Sequence, residues 1–127
     1  MLARAAARPM RRQGCGRIIN VASIAGLKPG GSSLAYATSK GALIHLTRCL
    51  ALALGPEVLV NCVAPGLIEG TRMAQRLPPE MAEILRRESV LKRTASVDDI
   101  ANQAVTFCRS DSVTGQVLLM DGGVHFH

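Results

Sequence analysis

At 127 residues with 48% hydrophobic side chains, the chain can bury one modest core and is too short for two domains. Aromatic residues make up 2% and tryptophan is absent, so the core must be built from tightly packed Ala, Leu, Val and Ile, and stacking on nucleic-acid bases is not expected. The net charge of +6 is uneven: residues 1–56 hold eight Lys or Arg and no acid, whereas residues 57–127 hold seven against nine acids, +8 against −2; spread out and without aromatic interleaving, this reads as a generic basic surface rather than a nucleic-acid interface.

The opening, MLARAAARPMRRQG, places Arg4, Arg8, Arg11 and Arg12 in an acid-free, alanine-rich segment. Residues 1–16 are read as the end of a truncated helix. A mitochondrial targeting segment is the alternative, weakened by the absence of serine before Ser23 and by Pro9. Arg17–Ala22 (RIINVA) is a β-branched run after Gly14-Cys15-Gly16, which predicts a strand buried on both faces. Residues 26–33, GLKPGGSS, are turn chemistry.

From about Leu34 to Leu54 the apolar steps Leu43, Leu46, Leu50 and Leu54 predict a helix of about twenty residues, stopped by Gly55-Pro56. It is apolar around much of its circumference, so more than one of its faces is expected to be covered.

 Pairing with a second copy or with a longer relative through the 34–54 helix is expected. Val58–Ala64 (VLVNCVA) is a second buried strand ended by Pro65-Gly66. Leu67–Arg76 is irregular or short helix, and Pro78-Pro79-Glu80 opens a helix to about Glu88. Ser96-Val97-Asp98-Asp99 resembles a capping box that starts the next helix, with Ile100, Ala104, Phe107 and Cys108 as its buried stripe to about Arg109. Gln116–Met120 (QVLLM) is the third strand, closed by the Asp121-Gly122-Gly123 turn. Residues 17–127 therefore read strand, helix, strand, helix, strand: two parallel, right-handed crossovers, half of a doubly wound sheet with flanking helices.

The four cysteines, Cys15, Cys49, Cys62 and Cys108, form no C-x-x-C pair, and the last three lie in apolar runs where cysteine acts as a small hydrophobe. A reducing, cytoplasmic setting is expected. His45, His125 and His127 show no ligand spacing with them, so no metal is expected. The longest apolar run, Leu50–Leu54, is far shorter than a membrane span, and no membrane partner is expected.

Ligands of open parallel sheets gather at the carboxyl ends of the strands. Ser23 follows the first strand, Tyr36 and Lys40 open the long helix, and Pro65-Gly66 follows the second strand. Tyr36 and Lys40 stand at i and i+4, on one helical face, where an ammonium stabilises negative charge on a phenol oxygen. Taken singly, each has a plainer reading: a serine satisfying backbone groups at a strand end, a surface pair on a helix, a turn.

Jointly and in register they resemble the short-chain dehydrogenase/reductase family, closest to its 3-oxoacyl-carrier-protein reductase-like members and over the C-terminal half only. The resemblance runs from about Arg11 to the C-terminus and rests on GRIINVASIAG, Y-x-x-x-K in YATSKGAL, VNCVAPG, DDIAN and VTGQVLLMDGG. It implies the C-terminal half of a Rossmann-type sheet and hydride transfer between NADP or NAD and a small-molecule carbonyl or alcohol. By that resemblance Tyr36 is the proton donor or acceptor, Ser23 holds the reacting oxygen, and Lys40 supports the phenolate and binds the nicotinamide ribose. Pro65, Gly66, Ile68 and Thr71 hold the nicotinamide end, and residues 71–90 cover the substrate.

The chain departs from the family in three places. Gly70 is inserted, so Thr71 arrives one residue late; the SDSVT loop at Ser110–Thr114 is short; and the glycine-rich turn of the pyrophosphate site is absent. The edge of the first strand is accordingly expected to be open. Two readings follow: an oxidoreductase that is inactive alone for want of its N-terminal cofactor-binding half, or a non-catalytic remnant that serves as a dimerisation or interaction module.

Overall fold

Both crossovers read from the sequence are present, and the sheet that they build is parallel, in the order β1 (Gly16–Val21), β2 (Val58–Pro65), β3 (Val117–Met120). The computed structural model describes residues 2–126; Met1 and His127 lie outside the described residues. Register runs from Gly16 opposite Val58 to Val21 opposite Val63, and from Cys62 opposite Val117 to Pro65 opposite Met120. The helices are α1 (Leu2–Arg12), α2 (Leu34–Leu54), α3 (Arg72–Gln75), α4 (Pro79–Glu88) and α5 (Val97–Arg109), with a 3-10 turn at Ile24–Gly26.

The core lies on β2, the central strand, where Val58, Val60, Cys62, Val63 and Ala64 are fully buried. Strand periodicity sends Val58 and Val60 to one face, where they cluster with Ala7 of α1 and with Ala51 and Leu54 of α2. Cys62, on the same face, clusters with Ala22 and Ile44. α5 packs against β1 and β2 and buries Phe107. Asn61, also fully buried, donates to the Val113 carbonyl at 2.7 Å and accepts from the Gln116 amide at 3.1 Å, so its polar side chain is satisfied by the loop leading into β3. That short loop is also held to β1: Arg17 donates to the Ser110 carbonyl and pairs with Asp111.

Three expectations need correction. β1 is not buried on both faces: Gly16–Asn20 are half-buried and Val21 is exposed, because β1 is a sheet edge with only β2 beside it. Cys49 and Cys108 do not behave as core hydrophobes; both are exposed, as is Cys15, and Cys62 alone is buried. In α5 the buried stripe narrows to Phe107, with Ile100 and Ala104 half-buried, since a helix turning 100° per residue carries Cys108 off the face that Phe107 presents to the sheet.

α2 spans the residues that its periodicity predicted, beginning at the Ser33 cap, whose hydroxyl accepts the Tyr36 amide at 3.1 Å. Ile44, Thr47, Ala51 and Leu54 form its buried face, while Leu34 and Leu52 are exposed. The capping box of α5 is reciprocal: Ser96 Oγ accepts the Asp99 amide at 3.0 Å, and Asp99 Oδ2 accepts the Ser96 amide at 2.9 Å. In α1, Pro9 lies within the helix rather than ending it.

Candidate active site

Ser23 stands two residues beyond the end of β1. The Ala22 amide still donates to the Val63 carbonyl at 2.8 Å, so the backbone that delivers Ser23 is fixed by the sheet. Ser23 is buried, and its Oγ caps the 3-10 turn by accepting the Ala25 amide at 3.2 Å. This is the capping role that a serine at a strand end takes by itself. Accepting uses a lone pair and leaves the hydroxyl proton for a further acceptor.

Tyr36 sits in the first turn of α2, half-buried, and Lys40 one turn later. The lysine ammonium lies 5.7 Å from the centroid of the tyrosine ring and donates to the Val21 carbonyl at 2.9 Å. Lys40 thus bridges the start of the helix to the end of the strand that carries Ser23. Its cation lies over the phenol, an arrangement worth about 0.5–1 kcal/mol where solvent has access.

On the far side, the Gly66 amide donates to the Met120 carbonyl at 3.1 Å. A Cβ at Gly66 would stand 2.9 Å from Asp121 Cβ, so Pro65-Gly66 rests directly on the C-terminal turn. That turn is stiff, because the buried Asp121 carboxylate accepts the amides of Gly123, Val124 and His125 at 3.0, 3.2 and 3.0 Å and meets His125 Nδ1 at 2.8 Å. Ile68 forms a parallel bridge with Ala95. Thr71 caps α3: its hydroxyl donates to the Ile68 carbonyl at 2.9 Å and accepts the Ala74 amide at 3.3 Å, so the side chain is engaged locally.

All seven residues singled out from the sequence, Ser23, Tyr36, Lys40, Pro65, Gly66, Ile68 and Thr71, line one cavity of about 260 Å³. Leu67 and Met73 also line it; sequence reasoning passed over both, although they flank residues it had chosen. A larger cavity, about 570 Å³, lies among α5, β3 and the C-terminal segment and holds none of the seven. The smaller cavity is singled out as the candidate site by its convergent polar groups, not by size. α4 is joined to the loop after β2 by the Arg86–Glu69 ion pair at 3.1 Å, and within the helix Glu83 pairs with Arg86 at 3.2 Å and with Arg87 at 3.1 Å. The Arg87 and Arg86 guanidiniums hold the Glu83 carboxyl below its usual range.

Chemically, the cavity is lined by the hydroxyls of Ser23, Tyr36 and Thr71, the last engaged locally, by the Lys40 ammonium, and by the apolar Leu67, Ile68 and Met73. Such a site can present a proton and a hydrogen bond to one polar atom of a largely apolar ligand. The family model described as enoyl-(acyl carrier protein) reductase matches residues 1–125. A protein of Streptomyces violaceoruber named for a ketoacyl reductase of granaticin polyketide synthase is 46% identical over 91% of this chain and 47% of its own length. The short-chain dehydrogenase/reductase homolog YusR of Bacillus subtilis is 39% identical over 95% of this chain and 92% of its own. Among solved structures, a gluconate 5-dehydrogenase from Burkholderia cenocepacia, in complex with NADP and tartrate, superposes with a TM-score of 0.88 at 31% identity, over 96% of this chain and 49% of that one. Apart from YusR, these relatives are about twice as long as the chain.

Proposed function

The chain belongs to the short-chain dehydrogenase/reductase family, and on that premise we infer that it carries the proton-transfer side of an oxidoreductase acting on a small-molecule carbonyl or alcohol with NADP or NAD. The observation that supports this reading is the convergence of Ser23, Tyr36 and Lys40 with Gly66 and Ile68 on one cavity. Tyr36 gives a proton to the carbonyl oxygen during reduction and takes one during oxidation. Ser23, anchored through its acceptor side, spends its free hydroxyl proton on the same oxygen. Lys40 steadies the phenol and offers its remaining protons to a ribose hydroxyl.

The residues fit the nicotinamide end of such a cofactor. Lys40 supplies a cationic donor, and Gly66, where a Cβ would stand 2.9 Å from Asp121 Cβ, lets the backbone after β2 line the cavity while packed on the C-terminal turn. When bound, the cofactor supplies the hydride. Because the chain spans about half the length of most relatives it matches, we place the pyrophosphate contacts on residues outside these 127, on the same or an associated chain, and propose residues 2–126 as a single partial domain. Association through α2 is supported by the exposed Leu34 and Leu52, and the free thiols suit a reducing, cytoplasmic compartment. Among the described residues no helix is long and apolar enough to cross a membrane.

The test is Tyr36→Phe in protein complete for cofactor binding. Turnover should fall by about 10²- to 10⁴-fold with the circular dichroism spectrum unchanged, and retention of most turnover would refute the proton role. Calorimetry on the 127-residue chain should show weak or no binding of NADPH; tight, saturable binding would overturn the assignment of the pyrophosphate contacts elsewhere.

A further inference from the structure

Gly26 and Gly41 touch each other, and neither is required to be glycine by its backbone angles. Gly26 ends the 3-10 turn that Ser23 caps, and Gly41 follows Lys40 inside α2; both lie outside the set of positive-φ glycines. Glycine within a helix is destabilising relative to alanine, so Gly41 carries a cost that its conformation does not demand. The reason is steric. A Cβ at Gly26 would stand 2.6 Å from the Lys40 carbonyl carbon, 2.7 Å from the Gly41 nitrogen and 2.8 Å from the Lys40 oxygen. A Cβ at Gly41 would meet the Gly26 oxygen at 3.2 Å. These are backbone atoms, which cannot swing aside as a side chain does. Since unstrained carbon contacts need roughly 3.5 Å, an alanine at position 26 forces the turn and the helix apart by close to an ångström.

We propose that the Gly26–Gly41 contact sets the separation of the Ser23 hydroxyl from the Tyr36–Lys40 pair, and that Gly26 is a positioning residue for proton transfer. Ser23 is bracketed by two ties to α2. On one side the Val21 carbonyl holds Lys40 Nζ at 2.9 Å. On the other, the Gly26 amide bonds to the Ser23 carbonyl at 3.0 Å, and Gly26 abuts the Lys40–Gly41 backbone. The first tie is a flexible side chain and can adjust; the second is backbone on backbone and cannot. The inference rests on the proton-transfer reading of the site.

The experiment compares Gly26→Ala, Gly41→Ala, Ala51→Gly and Tyr36→Phe in protein complete for cofactor. For Gly26→Ala, kcat should fall by about 30- to 100-fold, the cost of an ångström of misplacement, with the cofactor KM within about threefold of the parent. Gly41→Ala, which meets a single atom, should lose less than about fivefold. Ala51→Gly, in the buried face of α2 and remote from the contact, should lower the melting temperature while leaving kcat in place; a kcat loss there equal to that of Gly26→Ala would overturn the proposal, since destabilisation alone would then suffice. If Tyr36→Phe is inactive while Gly26→Ala keeps full kcat, the positioning role falls and the proton-transfer reading stands. If Tyr36→Phe remains active, that reading falls first. Independently of turnover, amide spectra of the Gly26→Ala chain should shift at Ser23 and Lys40 and not at Leu54, and an unmoved Ser23 would overturn the proposal. Should Gly26→Ala fail to fold, Gly41→Val loads the same contact: a kcat loss larger than that of Gly41→Ala supports the role, and an equal one overturns it.

Discussion

Lys40 Nζ donates a 2.9 Å hydrogen bond to the Val21 carbonyl, which joins the opening turns of α2 to the last residue of β1. The bond crosses nineteen residues of sequence and holds the cation beside the Tyr36 ring. One side chain therefore fixes a helix to a strand and places a charge next to the phenol.

Replacing Lys40 by Met keeps an unbranched side chain one atom shorter, without the ammonium, and removes both effects. Turnover in the cofactor-complete protein should fall by about 10²-fold or more. Stability should fall by only about 1 kcal/mol, the net value of one hydrogen bond with access to water. Steady-state kinetics beside a urea melt separates the two, and a variant that loses stability but keeps its rate would confine Lys40 to a structural role.

Ser23→Ala removes a cap and a donor together. Loss of the cap on the 3-10 turn should cost about 0.5–1 kcal/mol, whereas loss of the hydroxyl that we propose holds the reacting oxygen should lower kcat by about 10²- to 10³-fold. Thermal melting and single-turnover rates read the two losses apart. A kcat loss no larger than the change in folded fraction would leave Ser23 as a cap alone.

The capping box of α5 makes a pH-dependent contribution. The Ser96 amide, and then the Ser96 hydroxyl, hold the Asp99 carboxyl below its usual range. A carboxyl lowered on folding stabilises the fold above its unfolded pKa, near 3.9 for aspartate, and that contribution disappears as pH falls through the lower folded value. Asp99→Asn should therefore melt below the parent at pH 7, with the gap narrowing as pH falls below the unfolded aspartate value. Ser96→Ala should cost about 1 kcal/mol at neutral pH. A gap between parent and Asp99→Asn that does not narrow at all through the acid range would contradict the box as the source.

Thiol accessibility gives a direct check of the core. Cys15, Cys49 and Cys108 are exposed while Cys62 is buried, and burial pushes the Cys62 thiol up, so it is both shielded and a poorer nucleophile. A thiol-disulfide reagent should label three cysteines rapidly and the fourth only on unfolding. Fast labelling of Cys62 in the native protein would show that β2 is not the centre of the sheet.

The long helix, the order of the strands and the reciprocal box at Ser96 and Asp99 were legible in the sequence because each depends on spacing within a short window: apolar steps of three and four, β-branched runs, a cap and its partner three residues on. The convergence of the seven candidate residues on one cavity was legible for a related reason. In a parallel sheet every strand ends on the same side, so residues just after two strands and at the head of the intervening helix converge without long-range information. Burial on β1 was not legible in this way, because RIINVA reads the same in the middle of a sheet as at its edge and only the neighbouring strand decides. Cys108 misled for a similar reason: its apolar neighbours are close in sequence, but its direction belongs to the helix.

What the sequence determined by itself is local: which segments coil, which extend, where they turn, and which hydroxyls, amine and glycine stand at the points where strands give way to helices. Tertiary structure alone decided the distances between those points. Lys40 reaches Val21, Gly26 lies against Gly41, and Gly66 rests on Asp121, contacts between atoms fifteen or more residues apart that no window of neighbouring residues contains. Close packing makes such contacts unforgiving to within a fraction of an ångström, and that tolerance, rather than the identity of the side chains, separates a collection of reactive groups from a site.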